Sequence, residues 1–219
     1  MRKNKYFTNR KISKTSEEIY QKLNNQFELH KDLFNPEKAA LLILDMQQFF
    51  LNKKSHAYVP SATAIIKPAT ILTNLFIKHK LPIIITKHIN TKENARMMDY
   101  WWRDILKDKS EFSKLIPEFE IPQSEIIVKT QYDAFYNTNL NNILQKKNVE
   151  QVIVIGVMTH LCCETTVRSA FVRGYNVFFP IDGTATYNKR LHMASLTNLA
   201  HGFANITTIE RLSRTFDGI

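Results

Sequence analysis

Two adjacent cysteines, Cys162 and Cys163, sit where a buried strand turns into a helix. Gln151-Val-Ile-Val-Ile-Gly156 opens as an apolar run of the kind that fills a parallel strand. Gly156 permits a tight turn, and a helical pattern begins near Cys162 and closes at Gly174, a C-cap residue. A thiol at a helix start meets free N–H groups and the positive end of the dipole, which favour the thiolate. That is the setting of a cysteine nucleophile. Cys162 lies nearer the turn, whereas Cys163 is rotated by about 100° toward packing, so Cys162 is the candidate. Two other reactive groups follow strands: Asp45 ends Ala39-Ala-Leu-Leu-Ile-Leu44, and Lys129 ends Glu125-Ile-Ile-Val128. A carboxylate at Asp45 can take the thiol proton and later pass it to a leaving amine. Burial raises a carboxylate's proton affinity and a nearby ammonium lowers it, and Lys129 supplies the ammonium. Singly, each has a bland reading: a turn carboxylate, a strand-end surface lysine, an inert buried thiol. Together they place three unlike groups at one edge of a sheet.

The elements that must position them read as follows. Residues 1–14 are polar and basic and read as a frayed arm or a contact for an acidic partner, followed by a short helix from Thr15-Ser16. The first strand, 39–44, leads into a polar loop through Lys54. Apolar residues at helical spacing mark a helix over 61–80. A strand over 82–86 follows, then a loop over 87–100 feeding a short helix near 97–106. Pro117 and Pro122 bracket an extended connection to the strand at 125–128. Helices at 140–147, 162–173 and 188–201 alternate with strands at 152–155, 176–179 and 206–209. This alternation predicts a three-layer α/β/α, Rossmann-like fold with a six-stranded, mainly parallel sheet, whose function collects at the carboxyl ends of the strands. The organisation is a basic N-terminal extension over 1–33 and one catalytic domain over 34–219.

The bulk properties exclude several classes. A chain of 219 residues with 44% hydrophobic content suits one α/β domain. Adjacent cysteines cannot staple distant segments, so a disulfide framework is excluded and a reducing compartment fits. The N-terminus lacks the apolar stretch of a secretory signal, and the expected location is cytoplasmic, with no membrane partner. The formal charge of +10 is spread along the chain, dominated by lysine, which argues against a nucleic-acid site and for ordinary surface composition; a non-catalytic scaffold with a basic surface remains the alternative from another class. His160 is close to Cys162 but has no assured geometry as a base. His88 and Asp99 belong to no metal-ligand motif, and a phosphate-binding glycine-rich loop is absent from a chain with five glycines. Trp101 and Trp102, beside Arg96 and Arg103, are placed to close over a flat anionic substrate or to serve as core or oligomer contacts. No metal and no cofactor is expected.

Three segments carry a resemblance. Phe34-Asn-Pro-Glu-Lys-Ala-Ala-Leu-Leu-Ile-Leu-Asp45-Met-Gln-Gln-Phe-Phe50, Ile127-Val-Lys129-Thr-Gln-Tyr132-Asp-Ala-Phe135 and Gly156-Val-Met-Thr-His-Leu-Cys162-Cys163-Glu-Thr-Thr-Val-Arg168 resemble, in order and in register, the isochorismatase-like hydrolases over roughly residues 34–210. The resemblance implies a triad of Asp45 as general base, Lys129 as its charged partner and Cys162 as nucleophile. It also implies a cis peptide at Val157–Met158 and an oxyanion hole built from the backbone N–H groups of Met158 and Cys162. The expected substrate contacts are Phe49, His88, Arg96, Trp102, Tyr132 and His160, and a homo-oligomer, dimer or tetramer, is expected.

Two chemistries occur in that family. Nicotinamidases and ureidoacrylate hydrolases attack a carbonyl with the cysteine, whereas isochorismatases hydrolyse a vinyl ether by protonation and carry glycine where this chain has Cys162. Cys162 points to hydrolysis of a C–N bond in a small planar amide or carbamoyl compound through a thioester. His160 and the stretch from Arg96 to Trp102 are closer to the isochorismatases, in which Asp45 would act as acid. Nicotinamidases hold a metal with an Asp-x-His pattern where this chain reads Thr86-Lys-His88-Ile-Asn90, so a metal-dependent nicotinamidase is not expected. Asp133 stands where a small residue is usual, and Ser169 where an acid is common.

Overall fold

The computed structural model describes residues 2–30, 32–102 and 104–218. Seven strands form one sheet: β1 (Ala39–Leu44), β2 (Ile83–His88), β3 (Glu125–Lys129), β4 (Gln151–Val157), β5 (Asn176–Pro180), β6 (Thr184–Ala185) and β7 (Asn205–Thr207). Six of them run in the order β3-β2-β1-β4-β5-β7, every ladder parallel, while the two-residue β6 attaches to the end of β4. This is the six-stranded parallel sheet expected from the sequence. The helices are α1 (Ile12–Phe27), α2 (Gln48–Leu51), α3 (Ala62–Lys78), α4 (Lys92–Ala95), α5 (Met97–Trp101), α6 (Leu140–Lys146), α7 (Glu164–Val172), α8 (Lys189–Gly202) and α9 (Ile209–Ser213).

From β1 the chain steps outward through β2 to β3, then returns to β4 and steps the other way through β5 to β7. Right-handed crossovers then place α3 on one face and α7 and α8 on the other. The order reverses between β1 and β4, and the crevice at such a switch point is where open α/β sheets bind ligands. Asp45 ends β1 there, and the β4-to-α7 turn carries Cys162.

Strand position explains residue type. β1 is buried at all six positions, as a central strand covered on both faces must be. At the edge, β3 alternates: Ile126 and Val128 are exposed, while Ile127 and Lys129 are buried. The period of two that turns Ile127 inward therefore turns Lys129 inward as well. β2 runs two residues beyond the expected Thr86, because Lys87 and His88 still pair with Val128 and Lys129.

Several expectations are corrected. Residues 2–7 are not a frayed arm: Phe7 is buried, and Tyr6 and Phe7 N–H both donate to Ser61 Oγ, at 2.9 and 3.1 Å. α1 spans 16 residues rather than a short stretch, since Ile12, Ser16, Ile19, Tyr20 and Leu23 make one buried stripe. The helix near 97–106 stops at Trp101, with Arg103 outside the described residues. Residues 206–209 split, because Thr208 caps α9 by accepting from Arg211 N–H.

Gly156 is also reassigned. It lies inside β4 at φ 118°, opposite Leu44, where a Cβ would come within 2.1 Å of the Leu44 carbonyl oxygen. Glycine is needed for the close approach of the two backbones one residue before Asp45, rather than for a turn.

Candidate active site

Asp45 is fully buried, and its backbone takes φ 54° as β1 ends. Thr86, facing it from β2, donates its hydroxyl to Asp45 Oδ1 at 2.6 Å and accepts from Asp45 N–H at 3.2 Å. Oδ2 lies 2.8 Å from Lys129 Nζ but without the alignment of a good hydrogen bond, so the pair is held by charge and Oδ2 keeps lone-pair capacity. The ammonium is directed elsewhere: it donates to the Gln131 carbonyl at 2.9 Å and to Cys162 Sγ at 3.2 Å. Reaching from β3 across the end of β2, Lys129 touches both other groups.

Cys162 enters through an irregular helix start. The Val157–Met158 peptide is cis, and residues Thr159–Cys163 form one π-helical turn before α7. The Met158 carbonyl accepts from Leu161 N–H at 3.0 Å and Cys163 N–H at 3.3 Å, straddling Cys162. The helix therefore begins earlier than the sequence pattern implies, and Cys162 sits within its opening turn. Cys163 is completely buried and faces the core, whereas Cys162 lines a cavity.

Burial dominates the electrostatics. For Asp45 it favours the neutral acid, yet the Lys129 charge and the polar groups beside it outweigh this, and the carboxyl is held below its usual range. For Lys129 burial works against the charge, but the Asp45 carboxylate and the sulfur hold the ammonium above its usual range. The Cys162 thiol is pushed up to about 12, by burial first and by the Asp45 carboxylate next, against the pull of Lys129. The thiolate expected from the helix start is thus overridden: the resting site holds a thiol, a carboxylate and an ammonium. His88, pushed down to about 4 by burial and by the Lys129 charge, is neutral.

The cavity beside Sγ is narrow, about 50 Å³, and mostly apolar in lining. Phe49, Trp102, Tyr132 and Tyr187 supply aromatic walls, and Met158 and Leu161 line it along with Cys162. Trp102 Nε1 donates to the Tyr132 hydroxyl at 2.7 Å, fixing two of the walls. His88 also lines it, joined through Nε2 to Asn90 Oδ1 at 2.7 Å. Two sequence candidates stand apart. Arg96 is exposed, with its guanidinium 5.7 Å from the Tyr136 ring. His160 is one layer back, bonded through Nδ1 to Thr186 Oγ1 at 2.6 Å, and its ring is 6.3 Å from that of Tyr187. Thr86 and Tyr187 were not singled out by sequence; a threonine closing an apolar strand beside Asp45's is the one signal that was there to find, and Tyr187 sits in a loop without periodicity.

The two departures from the family pattern answer each other. Ser169 Oγ on α7 donates to Asp133 Oδ2 at 2.7 Å, and Asp133 Oδ1 accepts from Phe135 N–H at 2.8 Å. Asp133 is directed to α7 rather than to the cavity. Among the described residues no group of three or more His, Cys, Asp or Glu side chains is placed to hold a metal ion. His88 and Asn90 are bonded to each other and belong to no such group. Nor is any described helix long and apolar enough to cross a membrane.

Comparison with known proteins decides the family: the isochorismatase domain model matches residues 39–211. The chain belongs to the isochorismatase family. It is accordingly a hydrolase of that family. Nicotinamidase 3 of Arabidopsis thaliana is 37% identical over 202 residues, covering 88% of this chain and 96% of that protein. Enterobactin synthase component B of Escherichia coli (strain K12) is 27% identical over 185 residues, covering 82% of this chain and 64% of the relative's length. Among solved structures, a cysteine hydrolase from Pseudomonas syringae pv. phaseolicola 1448A superposes with TM-score 0.82 at 26% identity, covering 87% of this chain and 97% of that one.

Proposed function

We propose that this isochorismatase-family hydrolase is a cysteine amidohydrolase acting on the C–N bond of a small planar amide, with Cys162 as nucleophile, Asp45 as general base and Lys129 as the charge that keeps Asp45 ionised. The observation that carries the reading is the single buried ammonium lying 2.8 Å from the Asp45 carboxylate and 3.2 Å from the Cys162 sulfur. The name of the Arabidopsis relative makes nicotinamide the first substrate to test.

The steps follow from the resting protonation states. Substrate lies between the aromatic walls with its carbonyl carbon against Sγ. Asp45 accepts the thiol proton as sulfur attacks, because a thiol pushed up to about 12 ionises only in concert with bond formation. Charge develops on the carbonyl oxygen, and the backbone N–H groups of Met158 and Cys162 are the donors that receive it. Asp45 then returns the proton to the amine nitrogen, the C–N bond breaks, and the acyl group remains on sulfur as a thioester. Water, deprotonated by Asp45, attacks the thioester; the acid leaves and the thiol regains its proton. Lys129 keeps its own proton throughout.

The vinyl-ether reading needs Asp45 protonated at rest, which the Lys129 charge opposes. Assay of nicotinamide and isochorismate with the wild type, Cys162→Gly and Asp45→Ala separates the two. The amidase reading expects ammonia release by the wild type alone. Isochorismate turnover retained by Cys162→Gly would overturn it.

A further inference from the structure

The basic N-terminal segment bonds to two of the loops that line the cavity. Arg2, Asn4 and Tyr6 hold the loop at 186–188. The Arg2 carbonyl accepts from Asn188 Nδ2 at 3.2 Å, Asn4 N–H donates to the Tyr187 carbonyl at 2.9 Å, and the Tyr6 hydroxyl accepts from Thr186 N–H at 3.0 Å. Lys3, Tyr6 and Phe7 hold the segment at 56–61. Lys3 Nζ donates to the His56 carbonyl and, at 3.0 Å, to the Tyr58 carbonyl, and Tyr6 and Phe7 N–H donate to Ser61 Oγ at 2.9 and 3.1 Å. One short segment thus bridges two loops distant in sequence. Both loops line the cavity, through His56 and Ala57 on one and Tyr187 on the other. Lys3 joins them directly, because its ammonium also lies 4.1 Å from the centroid of the Tyr187 ring. A cation held there by two carbonyls fixes the ring by cation–π attraction.

We propose that residues 2–7 form a strap that sets the width of the substrate cavity, and that Lys3 is its positioning residue, fixing Tyr187 against the His56 loop. The proposal rests on the reading that the cavity beside Cys162 is the substrate site. Lys3 touches none of the reacting groups, so it acts on how substrate is held and not on the chemical step. Without the ammonium the Tyr187 ring loses its restraint, and both the fit to a planar substrate and the barrier to other molecules weaken.

The test compares full-length Lys3→Met and Lys3→Arg with the wild type in two assays. In the first, with nicotinamide, Lys3→Met is expected to raise KM about tenfold with kcat within about twofold, and Lys3→Arg, which restores the cation, to recover most of the loss. In the second, alkylation of Cys162 by iodoacetamide is followed by peptide mass spectrometry; Lys3→Met is expected to speed it several-fold, and Lys3→Arg to match the wild type. Wild-type KM and alkylation rate in Lys3→Met would overturn the strap. So would a fall in kcat and melting temperature with KM unchanged, the pattern of a residue that matters only to folding. If the wild type does not hydrolyse nicotinamide, the substrate reading fails separately, and the alkylation rates still decide the strap.

Discussion

Replacing Lys129 with methionine removes one buried charge and strands the other. Both side chains of the Lys129–Asp45 pair are 0% exposed and 2.8 Å apart. Breaking such a pair from one side costs about 3–5 kcal/mol, because the remaining charge is buried without compensation. For a chain of this size that lowers the melting temperature by ~6–20 °C near neutral pH. The pH dependence is the more specific signature. In the wild type the folded carboxyl is held below its unfolded value, so its contribution is present above the ordinary carboxylate range and is lost as pH falls through the folded value. Without Lys129, burial becomes the dominant influence on Asp45, and its proton affinity rises above the unfolded value. Stability then falls as pH rises through that window, with a slope of up to ~1.4 kcal/mol per pH unit for one proton. His88, still held below its unfolded value by burial, opposes this trend, but less than in the wild type, where the Lys129 charge pushes it down further. Urea unfolding at pH 5 and pH 8 measures this directly: Lys129→Met is expected to be more stable at pH 5, the wild type not. The double variant Asp45→Asn with Lys129→Met should regain all but ~1 kcal/mol of the loss. A Lys129→Met protein that loses less than ~1 kcal/mol at pH 8, or unfolds identically at both pH values, would refute the buried-pair account.

Three further outcomes follow from the same geometry. Iodoacetamide should label Cys162 and not the fully buried Cys163, and with a thiol pushed up to about 12 the rate should climb about tenfold per pH unit from 7 to 9 without a plateau; labelling of Cys163 alone, or a plateau near pH 7, contradicts the assignment. Thr86→Val removes the 2.6 Å hydrogen bond to Asp45 Oδ1, which should cost about 1.5–3 kcal/mol of stability and move the acid limb of kcat to higher pH, as its pH–rate profile will show. Gly156→Ala puts a Cβ 2.1 Å from the Leu44 carbonyl oxygen at φ 118°, so a loss of more than ~3 kcal/mol in urea unfolding and of most activity is expected; a neutral substitution contradicts the close approach of β1 and β4.

The sheet and the meeting of Asp45, Lys129 and Cys162 were legible because the burial that brings them together also writes a pattern. Asp45 and Lys129 each interrupt an apolar run, and the side a strand residue faces follows from its neighbours two positions away. The thiol's protonation state was not legible: the dipole argument at Cys162 is local, whereas the desolvation that overrides it comes from the whole core. Loops hid the rest. Tyr187 and His56 line the cavity from segments without periodicity, and residues 2–7 read as a solvated basic tail until their bonds to those segments are seen. Gly156 was noticed for the wrong reason, since a glycine's closest approach is to a strand far away in sequence.

The central claim is covalent catalysis by Cys162, and trapping the intermediate tests it most directly. Wild-type protein mixed with nicotinamide, acid-quenched within one turnover and mapped by mass spectrometry should carry the acyl group on Cys162, and Cys162→Ala should carry none and release no ammonia. Steady turnover with no acyl group on Cys162, or ammonia release by Cys162→Ala, would contradict it.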